Sequence, residues 1–414
     1  MKHTIFKLYY FLIATLCFCT SLPSFLFSPL IILLTVSSLI NIPVKKVVQY
    51  PSLVALILFY VILGISFFYS NNLSNAAFDL EVKLALLIMP LALLPMHRYP
   101  LKFIFYFLKY FLVGLLISIC FNVTASLIQY INETKRISNG LYTQNIGLNY
   151  FLSARFSKFS HPSYYALILN IGFIVLLYYE TKFKRHFKVI AQLSIIVALF
   201  LTASKAGLIS FLFITLAYVI IKRKYRMGIS VIAVSTLICF ILINMTPEFA
   251  IKFKSMKSAV VENPNSKTTE SSASRILIWK SSLELIMNKP IIGYGSGDVK
   301  DLLIYKYLQN GYFGIAEKKL NAHNQFLQTQ LASGIFGLLM LLFIFIQFLK
   351  NSLKNKNWMF TFIIIIFFIN YLFESMLETQ MGVLLFSFWF TLMGIVNQKL
   401  SLQANIKPQL TFKK

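Results

Sequence analysis

The sequence predicts an all-α polytopic membrane protein, and three observations predict it. Hydrophobic residues make up 58% of the chain, Phe alone numbers 41, and charged residues reach only 13%; water-soluble domains are not so composed. The apolar residues fall in runs close to the ~20 residues a helix needs to cross a bilayer, where backbone polar groups must be satisfied within the span. The basic residues gather in alternate connecting loops, as the positive-inside rule requires.

About 12 transmembrane helices are expected, near 5–21, 25–42, 51–69, 78–96, 103–131, 161–180, 188–203, 206–221, 228–245, 323–349, 358–374 and 378–396. The first run, behind Lys2 and Lys7, has the look of a signal peptide. No small-residue cleavage site precedes an aqueous domain, and a second span follows at once, so it is read as a retained helix. With the N-terminus inside, the cytoplasmic loops carry Lys45 and Lys46, Arg98 and Lys102, Lys182 to Lys188, Lys222 to Arg226, and Lys350 to Lys356; the tail adds Lys399, Lys407, Lys413 and Lys414. The expected organisation is therefore 1–245 as spans 1–9 with an outer loop near 132–160, then 246–322 as one large extracytoplasmic helical loop between spans 9 and 10. Residues 323–396 form spans 10–12 and 397–414 a cytoplasmic tail. Both termini are expected on the cytoplasmic side of the membrane.

A net charge of +26 would suit a nucleic-acid binder, but no such motif interrupts the spans. The lysines are read as topology anchors facing anionic lipid headgroups, and membrane lipids rather than nucleic acid as partners. Cys17, Cys19, Cys120 and Cys239 fall inside expected spans, where a thiol behaves as a small hydrophobe. There is no HExxH, no paired cysteine and no dense carboxylate cluster, so a metal-independent reaction without a cofactor is expected.

Of the 13 acidic residues, only Glu180 is clearly cytoplasmic on this topology. An inner-face enzyme using a nucleotide-activated donor usually needs carboxylates there to hold a divalent metal. His3, His97 and His186 lie inside, whereas His161 and His323 lie at the outer face. The reaction is therefore expected outside the cytoplasm, where a donor must arrive already activated; a lipid-linked diphosphate fits.

The large loop opens with Pro247 and the cluster Lys252, Lys254 and Lys257, followed by the polar stretch Glu262 to Glu270. Ser274 is placed to cap a helix running to about Lys289, stopped by Pro290. Ile276, Trp279, Leu283 and Ile286 would share one face, suited to a helix on the bilayer surface or the bundle top, with Trp279 in the interfacial belt. The run Gly293 to Asp298 lacks the lysine and hydroxyl of a phosphate-binding loop and reads as a tight turn before a second short helix from Val299 to about Leu308.

Five places could carry chemistry. His323 precedes a new span, where a helix N-terminus favours the neutral imidazole that can act as a base; a plain interfacial hydrogen bond is the alternative. Arg275 begins the amphipathic helix, a poor match to its dipole that phosphate binding would offset, against a solvated surface arginine. Lys205, in the short hairpin Thr202 to Gly207, is a functional candidate because a charge near hydrocarbon is costly, against a snorkelling side chain. His161, with Arg155 and Lys158, could line the same outer cavity or serve as cap and anchor. Glu374 and Glu378 flank the last outer hairpin and could pair with cations or orient a histidine.

Taken together, Ser204-Lys205, Arg275 to Trp279, Pro290 to Gly295, His323 to Leu327 and Gly334 to Leu338 resemble the motif series of the O-antigen ligase and polymerase superfamily of bacterial envelope polysaccharide enzymes. The resemblance covers about 190–345. It implies a GT-C-like membrane glycosyltransferase that moves a glycan, with inversion and without metal, from an undecaprenyl-diphosphate-linked donor at the periplasmic face. On that resemblance His323 activates the acceptor hydroxyl, beside Asn324, while Arg275 and Lys205 bind the donor diphosphate. Lys205 stands where the family usually has arginine, which keeps the charge but loses the planar fork. Glycan transfer to lipid A-core leads. Polymerisation of lipid-linked repeats and protein glycosylation are the alternatives within the superfamily. A lipid-linked oligosaccharide transporter is the rival from another class, for which the internal duplication common in transporters is not seen.

Overall fold

The computed structural model describes residues 2–41, 44–138, 147–179, 183–246, 248–251 and 271–411. Pro247, the Lys252, Lys254 and Lys257 cluster, the Glu262 to Glu270 stretch, Glu180, Lys182, Lys413 and Lys414 lie outside the described residues, as does the middle of the 132–160 loop. Among the described residues the regular structure is helical: α1 (Lys2–Cys19), α2 (Phe27–Asn41), α3 (Pro51–Ile65), α4 (Leu73–Lys83), α5 (Ala85–Leu93), α6 (Lys102–Ser138), α7 (Ser153–Phe156), α8 (Pro162–Tyr178), α9 (Arg185–Leu201), α10 (Lys205–Lys222), α11 (Tyr225–Met245), α12 (Ser271–Asn288), α13 (Val299–Gln309), α14 (Phe313–Glu317), α15 (Gln325–Lys354), α16 (Trp358–Phe373) and α17 (Gln380–Thr411).

Among the described residues six helical segments are long and apolar enough to cross a membrane: Pro51–Tyr69, Lys102–Arg136, Lys205–Lys222, Tyr225–Met245, Gln325–Lys354 and Gln380–Gln403. Four shorter apolar helices, Lys7–Cys19, Phe27–Leu39, Pro162–Tyr178 and Trp358–Phe373, accompany them. The chain is a multi-pass membrane protein. The run at 78–96, expected as one span, is instead α4, α5 and a 3-10 turn over Leu94–Arg98, with Pro90 inside α5. Asp79, Glu81 and Lys83 load its start with charge, and Pro90 removes a helical hydrogen bond. Beyond the expected last span, α17 continues helically to Thr411 through much of the segment read as a tail.

The described residues gather into two units. In the one formed by 1–16, 27–106 and 262–414, α17 is the central helix, with 94% of its apolar window buried. Around it α5 packs on α2, α3 and α17, while α15 lies against α3 and α16. An aromatic cluster fills the space between α15, α16 and α17: Phe345, Phe367, Tyr371, Phe386 and Phe390 meet edge-on or tilted, Phe386 and Phe390 at 4.1 Å between ring centres. Such pairs add roughly 0.5–1.5 kcal/mol beyond their buried area, and they stiffen the helix ends that carry the polar site.

In the unit formed by 17–26 and 107–261, α8 packs on α9 and α10, and α11 on α10 and α9. Nearly all of α8 is buried, whereas only 11% of the α11 window is, leaving Leu237 and Phe240 to face outward as lipid-facing residues do.

Candidate active site

The segment preceding α15 begins with α12. Helix α12 starts at Ser271, so Ser274 lies inside it and is buried rather than capping it, and Arg275 sits past the first turn rather than at the end. Its buried stripe is Ser274, Leu277, Ile278, Ser281, Ser282, Leu285 and Ile286. Of the four residues expected to share one face, Ile276 and Leu283 are about half exposed (47% and 50%), Trp279 is partly buried against the loop core and Ile286 is buried. Helix α12, with three serines in its buried stripe, packs against α15. Helix α13 begins at Val299 as expected and stops at Asn310 and Gly311.

The two glycine motifs meet. Gly334 takes a left-handed φ of 64° and breaks α15. The carbonyls freed before the break accept loop N–H groups, Tyr294 to Leu331 and Gly295 to Ala332, and Ile335 N–H donates to Pro290 and Ile291. A Cβ on Gly334 would lie 2.0 Å from the Ile291 oxygen, and one on Gly293 2.7 Å from the Gly334 nitrogen. The segment from Pro290 to Gly295 is thus a plug in a broken helix, which agrees with a turn. Asp298 adds a clamp: its carboxylate accepts from the Asn71 and Asn72 backbone N–H groups, each at 2.8 Å.

Next to this frame lies the polar centre. Asn324 caps α15, its Oδ1 accepting from Phe326 and Leu327 N–H while its Nδ2 donates to Leu372 O and its backbone N–H to Ser375. This capping stabilises by about 1 kcal/mol and ties the start of α15 to the end of α16. His323, just before the cap, has a φ of 43°, a left-handed backbone that costs a non-glycine residue energy and is held only by its surroundings. Its Nδ1 lies 3.1 Å from Glu374 Oε2. Arg275 Nη2 donates to Glu374 Oε1 at 3.0 Å, and its Nε to Phe373 O at 3.2 Å. His323, Glu374 and Arg275 are 26%, 12% and 15% exposed at their side chains.

A carboxylate bridging an arginine and an imidazole has a definite consequence. In the tautomer whose Nδ1–H donates to the Glu374 carboxylate, a lone pair is left on Nε2. That arrangement can accept a proton from a hydroxyl and is stabilised electrostatically as it does so.

Glu378, a sequence candidate, does not join this centre. It pairs with Lys83 Nζ at 3.1 Å and accepts from Gln328 at 3.3 Å. The 3-10 turn Met376–Glu378 rotates it away from Glu374, so of the two hairpin carboxylates only Glu374 meets His323. Lys83 and Asp79, 2.5 Å apart, were hidden from sequence reasoning because they fell in an expected span; an i, i+4 opposite-charge pair in that run is the signal that marks them. Among the described residues no three His, Cys, Asp or Glu side chains converge on one point.

Lys205, His161 and Arg155 belong to the other unit. Lys205 is the first residue of α10, behind Ser204, whose hydroxyl accepts from Gly207 N–H. His161 caps α8 through Nδ1, accepting from Ser163 N–H. Arg155 pairs with Glu248 at 2.8 Å and Lys158 with Gln129 at 2.6 Å.

Residues 189–342 match the O-antigen ligase family, so the chain carries that family's domain, as its motifs indicated. Two proteins named polysaccharide ligase are similar to it: one from Rickettsia conorii, 34% identical over 101 residues, and one from Rickettsia felis, 35% identical over 97. Each alignment covers 22% of this chain and 23% of the relative. The ComP-specific O-oligosaccharyltransferase of Acinetobacter baylyi is 27% identical over 246 residues, 57% of this chain and 41% of that protein. The chain thus spans well under half the length of these relatives.

Proposed function

We propose that this protein is a membrane glycosyltransferase of the O-antigen ligase type. It transfers a glycan from an undecaprenyl-diphosphate donor to a hydroxyl of lipid A-core at the periplasmic face, with inversion and without metal. The observation that carries the reading is the His323–Glu374–Arg275 constellation, whose His323 and Arg275 lie in the segment that matches the family. His323 removes the acceptor proton through Nε2, Glu374 fixes its tautomer and stabilises the imidazolium, and the anomeric carbon loses the lipid diphosphate as the new bond forms. Arg275 provides positive charge for that leaving group while also holding Glu374; a diphosphate role for Lys205 rests on its place in the motif series.

Protein glycosylation is the second reading, favoured by the oligosaccharyltransferase relative, whose alignment spans more than half of this chain. The purified protein is to be offered the lipid-linked glycan with lipid A-core, a second lipid-linked repeat, or a pilin-like protein. Transfer to lipid A-core alone is expected; glycan appearing only on the repeat or on the protein would reassign the acceptor.

A further inference from the structure

The strained backbone at His323 is held by a chain of hydrogen bonds that begins at a buried lysine. Lys83, the last residue of α4, is 2% exposed, and its Nζ lies 2.5 Å from Asp79 Oδ1 and 3.1 Å from Glu378 Oε1. The other oxygen of Glu378 accepts from Gln328 Nε2 at 3.3 Å. Gln328 lies one turn into α15, and its Oε1 accepts the backbone N–H of Ala322 at 3.2 Å. Ala322 is fully buried and immediately precedes His323. A second tie runs parallel: Leu377 N–H donates to Gln325 Oε1 at 2.6 Å, which fixes the turn between Glu374 and Glu378.

We propose that Lys83, Glu378 and Gln328 form a positioning chain for the reaction proposed above: they set the backbone at residues 322–323 so that the imidazole meets Glu374. The inference rests on that reading of His323. Two arguments support it. A buried ion pair is poor as a stabilising device, because desolvation offsets the attraction, so three charges placed here need another reason. In addition, a left-handed histidine persists only where its surroundings over-determine it; the Gln328 bond to Ala322 is one such restraint, beside the bond from the His323 backbone N–H to Asn321 Oδ1 at 3.1 Å.

The polarity of the chain permits a swap. In the single variant Gln328→Glu, a carboxylate faces Glu378 and the Gln328 donor is lost. Combining Gln328→Glu with Glu378→Gln restores the net charge. The amide introduced at position 378 then donates to the carboxylate at position 328, which still accepts from Ala322. With purified full-length protein and the lipid-linked donor, the single variant should lose about tenfold in kcat with KM for both substrates within about twofold. The double variant should return kcat to within about threefold of the parent. A folded single variant with parental kcat overturns the proposal, as does a double variant that is inactive or does not fold, since donor–acceptor complementarity is what is claimed. His323→Ala is assayed alongside. Full transfer by His323→Ala would sink the base assignment itself, whereas an inactive His323→Ala beside a fully active Gln328→Glu would sink only the positioning chain.

Discussion

At His323 the chemistry depends on one contact, the 3.1 Å approach of Glu374 to Nδ1. Glu374→Gln keeps the shape but removes the negative charge and lets the amide impose the wrong tautomer. The variant should fold, and kcat should fall roughly 10²- to 10⁴-fold; steady-state turnover close to the parent would show that Glu374 does not support the base. Lys205→Arg restores the planar fork that matches phosphate geometry, so transfer should be retained or rise; complete loss in a folded variant would tell against a diphosphate role. His323 and Arg275 were legible because polar and charged residues stand out where an apolar run begins. The choice between Glu374 and Glu378 was not legible: both flank the same hairpin four positions apart, and the 3-10 turn that separates their directions has no clear sequence mark. Lys83 was hidden for a different reason, since it fell within the apolar run 78–96 expected as a span.

The elements owe their arrangement to backbone geometry more than to side-chain pattern. The plug formed by Pro290 to Gly295 and the break at Gly334 depend on the absence of a Cβ at 334, where the carbonyl of Ile291 already occupies the space. Gly334→Ala, strained by a φ of 64° as well, should lower the unfolding temperature in detergent by the equivalent of more than about 1 kcal/mol and reduce transfer with it; an unchanged melting curve would contradict the plug. The stops of α12 and α13 were readable from Pro290 and from Asn310-Gly311. The buried face of α12 was not: Ile276, Trp279, Leu283 and Ile286 recur at three- and four-residue spacing, yet of these four only Ile286 is buried, alongside Ser274, Ser281 and Ser282. Periodicity reports which residues share a face, and packing distance decides which face is buried.

Over the whole molecule, the apolar runs announced a multi-pass helical protein, and the structure contains six helices of spanning length with four shorter apolar ones among the described residues. Where charge and proline entered a run, as at 78–96, hydropathy alone merged two helices into one, and the same charges supply the buried ion pairs around Lys83. The family match over 189–342 covers Lys205, Arg275 and His323 but ends before Glu374, so the partner of the histidine comes from the structure. The most direct test is transfer of glycan from an undecaprenyl-diphosphate donor to lipid A-core by purified parent and His323→Ala proteins in the same bilayer. Transfer by the parent and a loss of at least about 10²-fold in a folded His323→Ala protein is the expected result. Equal transfer by both would contradict the assignment of this histidine as the base.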